Sequence, residues 1–161
     1  KISLYLQTKN TIKQTTITMK RIATLLVALL AITSLHAEEQ PITFGELPKN
    51  AKIFVLTYFK DIKFKEVYIE RRASLTQYEV KLEGGIDLQF DRMGLCTEIT
   101  CKNGEIPDIV IPKRILTTIQ KNFPDSYIRK YENNGRMYEI VLDDGTQLTF
   151  SRTLRLVDIE D

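Results

Sequence analysis

Few residues in this chain are equipped for chemistry. His36 is the only histidine in 161 residues, and it lies in a leader-like stretch. Residues 37–161 therefore have no imidazole for a Ser-His or Cys-His dyad or for a histidine metal site. Cys96 and Cys101 are the only cysteines. Two thiolates fall short of the four ligands of a structural zinc site, and no glycine-rich phosphate loop or dinucleotide fingerprint occurs. Along an extended strand, at about 3.3 Å per residue, the two thiols stand about 16 Å apart, beyond disulfide reach. A bend between them would close that distance in an oxidising compartment, so the disulfide stays open, with Cys96 read as a small core residue. Carboxylates remain. Asp143 and Asp144 are adjacent, but Asp is ordinary turn material, and Asp143-Asp144-Gly145 lacks the alternating oxygen ligands of a calcium loop. The expectation is a non-enzyme with no catalytic residue, metal or cofactor.

The elements around these residues are organised by a duplication. Tyr78-Glu79-Val80-Lys81-Leu82-Glu83-Gly84-Gly85 returns sixty positions later as Tyr138-Glu139-Ile140-Val141-Leu142-Asp143-Asp144-Gly145. Leu88, Phe90 and Arg92 return at the same offset as Leu148, Phe150 and Arg152. Each copy alternates apolar and polar residues on both sides of a turn, the pattern of a half-buried hairpin. A two-residue loop would set Val80 against Gln89. A three-residue loop pairs Leu82 with Ile86, Val80 with Leu88 and Tyr78 with Phe90, and so gathers every apolar residue on one face. In the second copy the same rule closes Leu142 on Thr146, Ile140 on Leu148 and Tyr138 on Phe150. Gly85 and Gly145 end these loops, where φ must be positive, so both are read as structural.

From its amino end, the chain divides unevenly. Residues 1–18 precede the first methionine, Met19, and read as sequence upstream of the true start. Residues 19–37 read as a signal peptide: Lys20-Arg21, then an apolar run from Ile22 to Ile32, then small and polar residues with cleavage near Ala37. That run is too short to span a bilayer, which takes about 17–25 residues. The leader holds Lys1, Lys9, Lys13, Lys20 and Arg21 and no acid. The remaining 38–161 thus carries 18 basic and 21 acidic residues, a net of −3, and loses the basic character that would suggest nucleic acid. A periplasmic or secreted protein with no membrane span is expected.

Residues 38–161 then read as a single domain of two repeats, about 46–101 and 110–160. After an extended segment, Glu38 to Gly45, the residues Leu47, Ala51, Phe54, Val55, Tyr58 and Phe59 form a helical stripe behind Pro48. Strands follow at Phe64 to Arg72, at the hairpin, and at about Leu95 to Thr100. A linker from Lys102 to Asp108 leads to Ile111-Pro112 and a second stripe of Ile115, Ile119 and Phe123, stopped by Pro124. Tyr127 to Glu132, the second hairpin, and Arg155 to Ile159 complete the strands. The fold class is α+β: a tandem repeat of a helix and a four-stranded antiparallel meander, with the helices on one face of a curved sheet. The opposite face is the candidate binding surface. There Tyr68, Glu79, Lys81 and Glu139 are expected, with Tyr127, Arg129 and Tyr131 or else their neighbours, a tyrosine, arginine and acid mixture that suits protein recognition.

Taken together, the LP-led helix ending Tyr58-Phe59, YEVKLEGG, FDRMG, the Cys101-Lys102 and Ile106-Pro107 linker, Ile111-Pro112, Phe123-Pro124 and YEIVLDDG resemble the small exported PepSY-like, β-lactamase-inhibitor-like proteins of Bacteroidetes. The resemblance covers about Leu47 to Ile159. Cys96 and Leu156 stand where that family carries an aromatic, often Trp, and the second FDxxG is altered to Phe150-Ser151-Arg152-Thr153-Leu154. The resemblance implies tandem helix-and-sheet units forming one curved sheet, as in β-lactamase inhibitor proteins. For function it implies a periplasmic protein that binds another exported protein, an enzyme or a peptidase, through the sheet. A small-ligand or envelope-stress sensor is the alternative.

Overall fold

The structure is a computed structural model and describes residues 38–160 apart from 73–74. The signal-peptide reading of 19–37 and the upstream reading of 1–18 lie outside the described residues. Among the described residues, nine strands and two α-helices follow one another as β1 (Glu38–Pro41), α1 (Lys49–Tyr58), β2 (Phe64–Arg72), β3 (Leu75–Leu82), β4 (Ile86–Asp91), β5 (Cys96–Cys101), α2 (Lys113–Asn122), β6 (Ile128–Asn133), β7 (Met137–Leu142), β8 (Gln147–Ser151) and β9 (Leu156–Glu160). The strands form one sheet in sequence order, and every neighbouring pair is antiparallel. Fold class is therefore α+β.

Each helix is short and relies on one buried stripe, because ten residues of helix are marginal without tertiary packing. In α1 the four-residue spacing of Leu47, Ala51, Val55 and Phe59 buries all four, while Tyr58 stays exposed. Phe54 meets Phe90 of β4 edge to face, with ring centroids 5.7 Å apart. In α2 the stripe of Ile111, Ile115 and Ile119 is buried in the same cluster. Both helices end where an aromatic N–H closes the last turn, Phe59 onto the Val55 carbonyl and Phe123 onto the Ile119 carbonyl. Pro124 cannot continue the second.

Both hairpins adopt the three-residue register. Leu82 faces Ile86, Val80 faces Leu88 and Tyr78 faces Phe90, while Ile140 faces Leu148 and Tyr138 faces Phe150. Leu142 and Thr146 close the second loop with an N–H to carbonyl bond of 2.9 Å. Gly85 and Gly145 sit at φ +79° and +96°, as the turn geometry requires. Val80, Leu88, Phe90, Ile140, Leu148 and Phe150 are fully buried beneath the helices.

Two features depart from expectation. The segment Glu38 to Gly45 is not simply extended: its first four residues pair with β2 as β1, and Phe44–Glu46 turns as a 3-10 helix. More consequential, β2 and β6 each carry a bulge, at Lys65 and at Arg129, where the register steps past one residue. The open question of the cysteines resolves as two free thiols, Cys96 and Cys101, on one strand, in keeping with their long separation along an extended segment.

Candidate protein-binding face

The side chains of β3 that point away from the helices begin the site. Glu79 and Lys81 alternate with the buried Val80 and Leu82, so the strand period alone sends them to the helix-free face. Backbone pairing then extends two rows from β2 to β9. One row runs Tyr68, Glu79, Gln89, Glu98, Glu132, Glu139, Thr149, Asp158. The adjacent row runs Glu66, Lys81, Asp87, Thr100, Lys130, Val141, Gln147, Glu160. Together they hold eight carboxylates, of Glu66, Glu79, Asp87, Glu98, Glu132, Glu139, Asp158 and Glu160, against the two ammonium groups of Lys81 and Lys130.

Several of these charges are only partly open to water. The Glu79 side chain is 25% exposed and lies 3.5 Å from the Lys81 ammonium, which in turn sits 4.9 Å from the centre of the Tyr68 ring. Burial is the largest influence on Glu79 and raises its pKa in spite of Lys81. For Lys81 burial works against the charge, but the Glu79 carboxylate outweighs it and the pKa is raised. The Tyr68 phenol is raised first by a hydrogen bond with Glu66 and then by burial. On β6, Lys130 lies 2.7 Å from Glu132 and 3.5 Å from Glu98. Its pKa is raised as well: burial opposes the charge, and the bond to Glu132 and the charge of Glu98 prevail.

Where β3 to β6 lie side by side, the same face holds a groove of about 410 Å³. Gln77, Gln89, Asp91, Thr97, Glu98, Glu132 and Asn133 line it, with Leu95 and Cys96 as its apolar part. The Thr97 hydroxyl is fully buried and, among the described residues, has no hydrogen-bond partner. Burial pushes the Cys96 thiol up to about 12, so it is neutral and unreactive at physiological pH. Asp91 does not offer both oxygens freely, since its Oδ1 accepts the N–H groups of Met93 and Leu95.

The tyrosines divide. Tyr68 lies on the helix-free face with Glu79, Lys81 and Glu139, but Tyr131 does not: it faces Ile140 and Ile99 and is buried in the core, its ring 6.1 Å from that of Tyr138. Burial raises its phenol pKa. Tyr127 precedes β6 and borders a cleft of about 170 Å³ with Leu116, Ile119 and Gln120 of α2, so it belongs to the helix side. Arg129 is the extra residue of the bulge. Its guanidinium lies over the Tyr127 ring and donates to the Tyr127 hydroxyl and the Lys102 carbonyl, at 3.0 and 2.7 Å. Regular alternation would put 127, 129 and 131 on one face. The bulge breaks the alternation, so that Ile128 and Tyr131, three apart, both face the helices. The signal was present as broken alternation in two places: Phe64 and Val67, like Ile128 and Tyr131, are apolar residues three apart. The groove residues Gln77, Thr97, Glu98 and Glu132 do not stand out in the sequence, because four strands must be assembled before they meet.

Among the described residues no three His, Cys, Asp or Glu converge to hold a metal ion, and no helix is long and apolar enough to cross a membrane.

These features define a class, an α+β protein whose single antiparallel sheet has helices behind it and a charged face before it. The chain belongs to the PepSY-like family described as β-lactamase-inhibitor-like, whose model matches twice, over residues 34–96 and 76–158. It is similar to a candidate periplasmic protein of the DUF2874 family from Bacteroides vulgatus ATCC 8482. Identity is 31%, the match covers 77% of this chain and 98% of that one, and the TM-score is 0.74. A protein from Bacteroides thetaiotaomicron, described as a candidate calcium-regulated periplasmic protein, is 30% identical over 76% of this chain and 97% of its own, with a TM-score of 0.75. A second candidate periplasmic protein of unknown function from B. vulgatus ATCC 8482 is 28% identical over 77% of this chain and all of its own, with a TM-score of 0.72. No curated protein matches.

Proposed function

We propose that this protein is a non-catalytic periplasmic binding module that engages a basic surface of another exported protein through the helix-free face. An enzyme or peptidase held inactive in this way is the form of partner that the family's inhibitor-like description favours. The observation that carries the reading is the excess of eight carboxylates over two ammonium groups along the two rows, an excess that stands even with the Lys102 ammonium, which meets Asp87 at 2.8 Å, included. Such a face pairs with positive charge and speeds encounter with it. Tyr68, at the edge of the acidic rows, supplies an aromatic anchor.

The scaffold is proposed to be two tandem units spanning about 46–101 and 110–160 within one domain, 38–161. Turn bonds repeat between them at the sequence offsets of sixty-four and sixty. Phe59 to Val55 and Ile62 to Phe59 return as Phe123 to Ile119 and Ser126 to Phe123; Gly94 to Asp91 returns as Leu154 to Ser151. An exported chain released by cleavage near Ala37 fits the periplasmic descriptions of its structural relatives.

Affinity capture from a periplasmic extract tests the reading, with the purified protein as bait and a Tyr68→Ala, Glu139→Lys variant as control. A partner that is retained by the native protein and lost with the variant supports it. A partner held equally by both, or none at low salt, refutes it.

A sensor of small ligands is the second reading, favoured by the 410 Å³ groove and the unpartnered Thr97 hydroxyl at its wall. A ligand that raises the melting temperature of the native protein but not of Thr97→Val would establish it.

A further inference from the structure

The outermost strand β9 has, among the described residues, a neighbour on one side only. Its pairing with β8 matches that of β5 with β4. Leu148 faces Ile159, Thr149 faces Asp158 and Phe150 faces Leu156, with a register step between Thr149 and Phe150. Leu88 faces Ile99, Gln89 faces Glu98 and Phe90 faces Cys96, with the step at the same place. On its other edge β5 carries β6, where Glu98 meets Glu132, Ile99 meets Tyr131 and Thr100 meets Lys130. The β9 edge is laid out to do what the β5 edge does.

The backbone is turned the right way for it. The Leu142 N–H bonds to the Thr146 carbonyl, and antiparallel alternation then directs both peptide groups of Leu148 toward β7. Ile159, opposite Leu148, therefore turns its own N–H and carbonyl to the open edge. Among the described residues that N–H is held by the adjacent Asp158 carboxylate, 3.1 Å away, a local bond that a ladder partner can displace. The side chains of Val157 and Ile159 are 54% and 48% exposed. Asp158 and Glu160 flank Ile159 on the helix-free face. Pairing of two β9 strands about Ile159 would set Asp158 against Glu160, and about Asp158 would set it against itself. Both place like charges directly opposite each other, so the edge resists its own copy and favours a basic strand.

We propose that the β9 edge accepts an extended segment of a partner protein as an added antiparallel strand, with an apolar residue opposite Ile159 and lysine or arginine opposite Asp158 and Glu160. This is recognition by strand addition, in which main-chain bonds supply affinity and alternate side chains supply specificity. It draws on Asp158 and Glu160, where the acidic rows reach β9, and does not depend on the rest of those rows acting as a protein-binding face.

The test uses a labelled peptide, acetyl-IRKYKN-amide, which is the β6 sequence with lysine in place of its glutamate. Its binding to the purified protein is followed by fluorescence anisotropy. The same peptide N-methylated at tyrosine loses the donor to the Ile159 carbonyl, and an Ile159→Pro variant loses the outward N–H while leaving the β8 ladder intact. Each change is expected to weaken binding about tenfold, the native and Pro variants melting within a few degrees of each other; Tyr68→Ala, Glu139→Lys is expected to bind the peptide as the native protein does. Equal binding by the N-methylated peptide would overturn the proposal, since charge alone would then explain the affinity. So would no binding by the native protein, or a dimer in sedimentation that Ile159→Pro dissociates, which would assign the edge to a second copy. Should Ile159→Pro fail to fold, the N-methylated peptide on the native protein decides alone.

Discussion

At residue scale, positions sixty apart show how the same backbone site is used in two ways. Gly94 and Leu154 both have positive φ, +77° and +59°, and each donates its N–H to the residue three before it, Asp91 or Ser151. A Cβ at Gly94 would come within 2.7 Å of the Ala51 nitrogen and 2.8 Å of the Pro48 Cβ, so α1 can pack there only on glycine. Leu154 instead packs its side chain partly into the core and accepts the strained conformation. Gly94→Ala is expected to cost about 1–3 kcal/mol, whereas Leu154→Gly should be close to neutral, because relief of about 1–2 kcal/mol of left-handed strain offsets the lost packing. Urea denaturation of the two variants checks this. Glu79 supplies a pH dependence of definite sign. Its folded pKa lies above its unfolded value, so the charged form disfavours folding, and stability at this site is gained as pH falls through the folded pKa. Glu79→Gln should melt higher than the native protein at pH 7, and the difference should vanish once the pH is below the ordinary carboxylate range. Thermal melts across that range would show the opposite trend if Lys81 dominated.

The elements divide by how local their determinants are. The two hairpins were legible to the residue because apolar alternation on both arms leaves one register that buries it all. The helices were legible from four-residue stripes. The strand β1 was not, because Glu-Glu-Gln-Pro has no alternation and its pairing with β2 is decided by the strand it meets. The face of β6 was misread at Tyr131 and Tyr127 for a different reason: Arg129 resembles any strand residue, and only the pairing reveals it as the extra one. Tyr131→Ala should accordingly cost about 3–5 kcal/mol, the value for a large buried side chain. Tyr68→Ala should cost about 1 kcal/mol or less, as a partly exposed residue outside the core does. Chemical denaturation showing equal losses would return Tyr131 to the surface and undo the bulge assignment.

For the molecule as a whole, the helices and their sheet face consume the apolar residues, which leaves the other face to be set by charge. Its polarity was legible on β3, where Glu79 and Lys81 alternate with buried residues. The excess of acid over base was not, because it arises from register across the eight strands β2 to β9 rather than from any run in the chain. Residues 38–161 as a whole have a net charge of only −3, so composition conceals how unevenly that charge is distributed. The most direct test of the account is titration of the captured partner with the native protein and with Tyr68→Ala, Glu139→Lys, at low and at physiological salt. The account predicts that affinity falls steeply with salt for the native protein, and that the variant binds at least about tenfold more weakly at low salt. Affinity that is indifferent to both salt and charge reversal would contradict it.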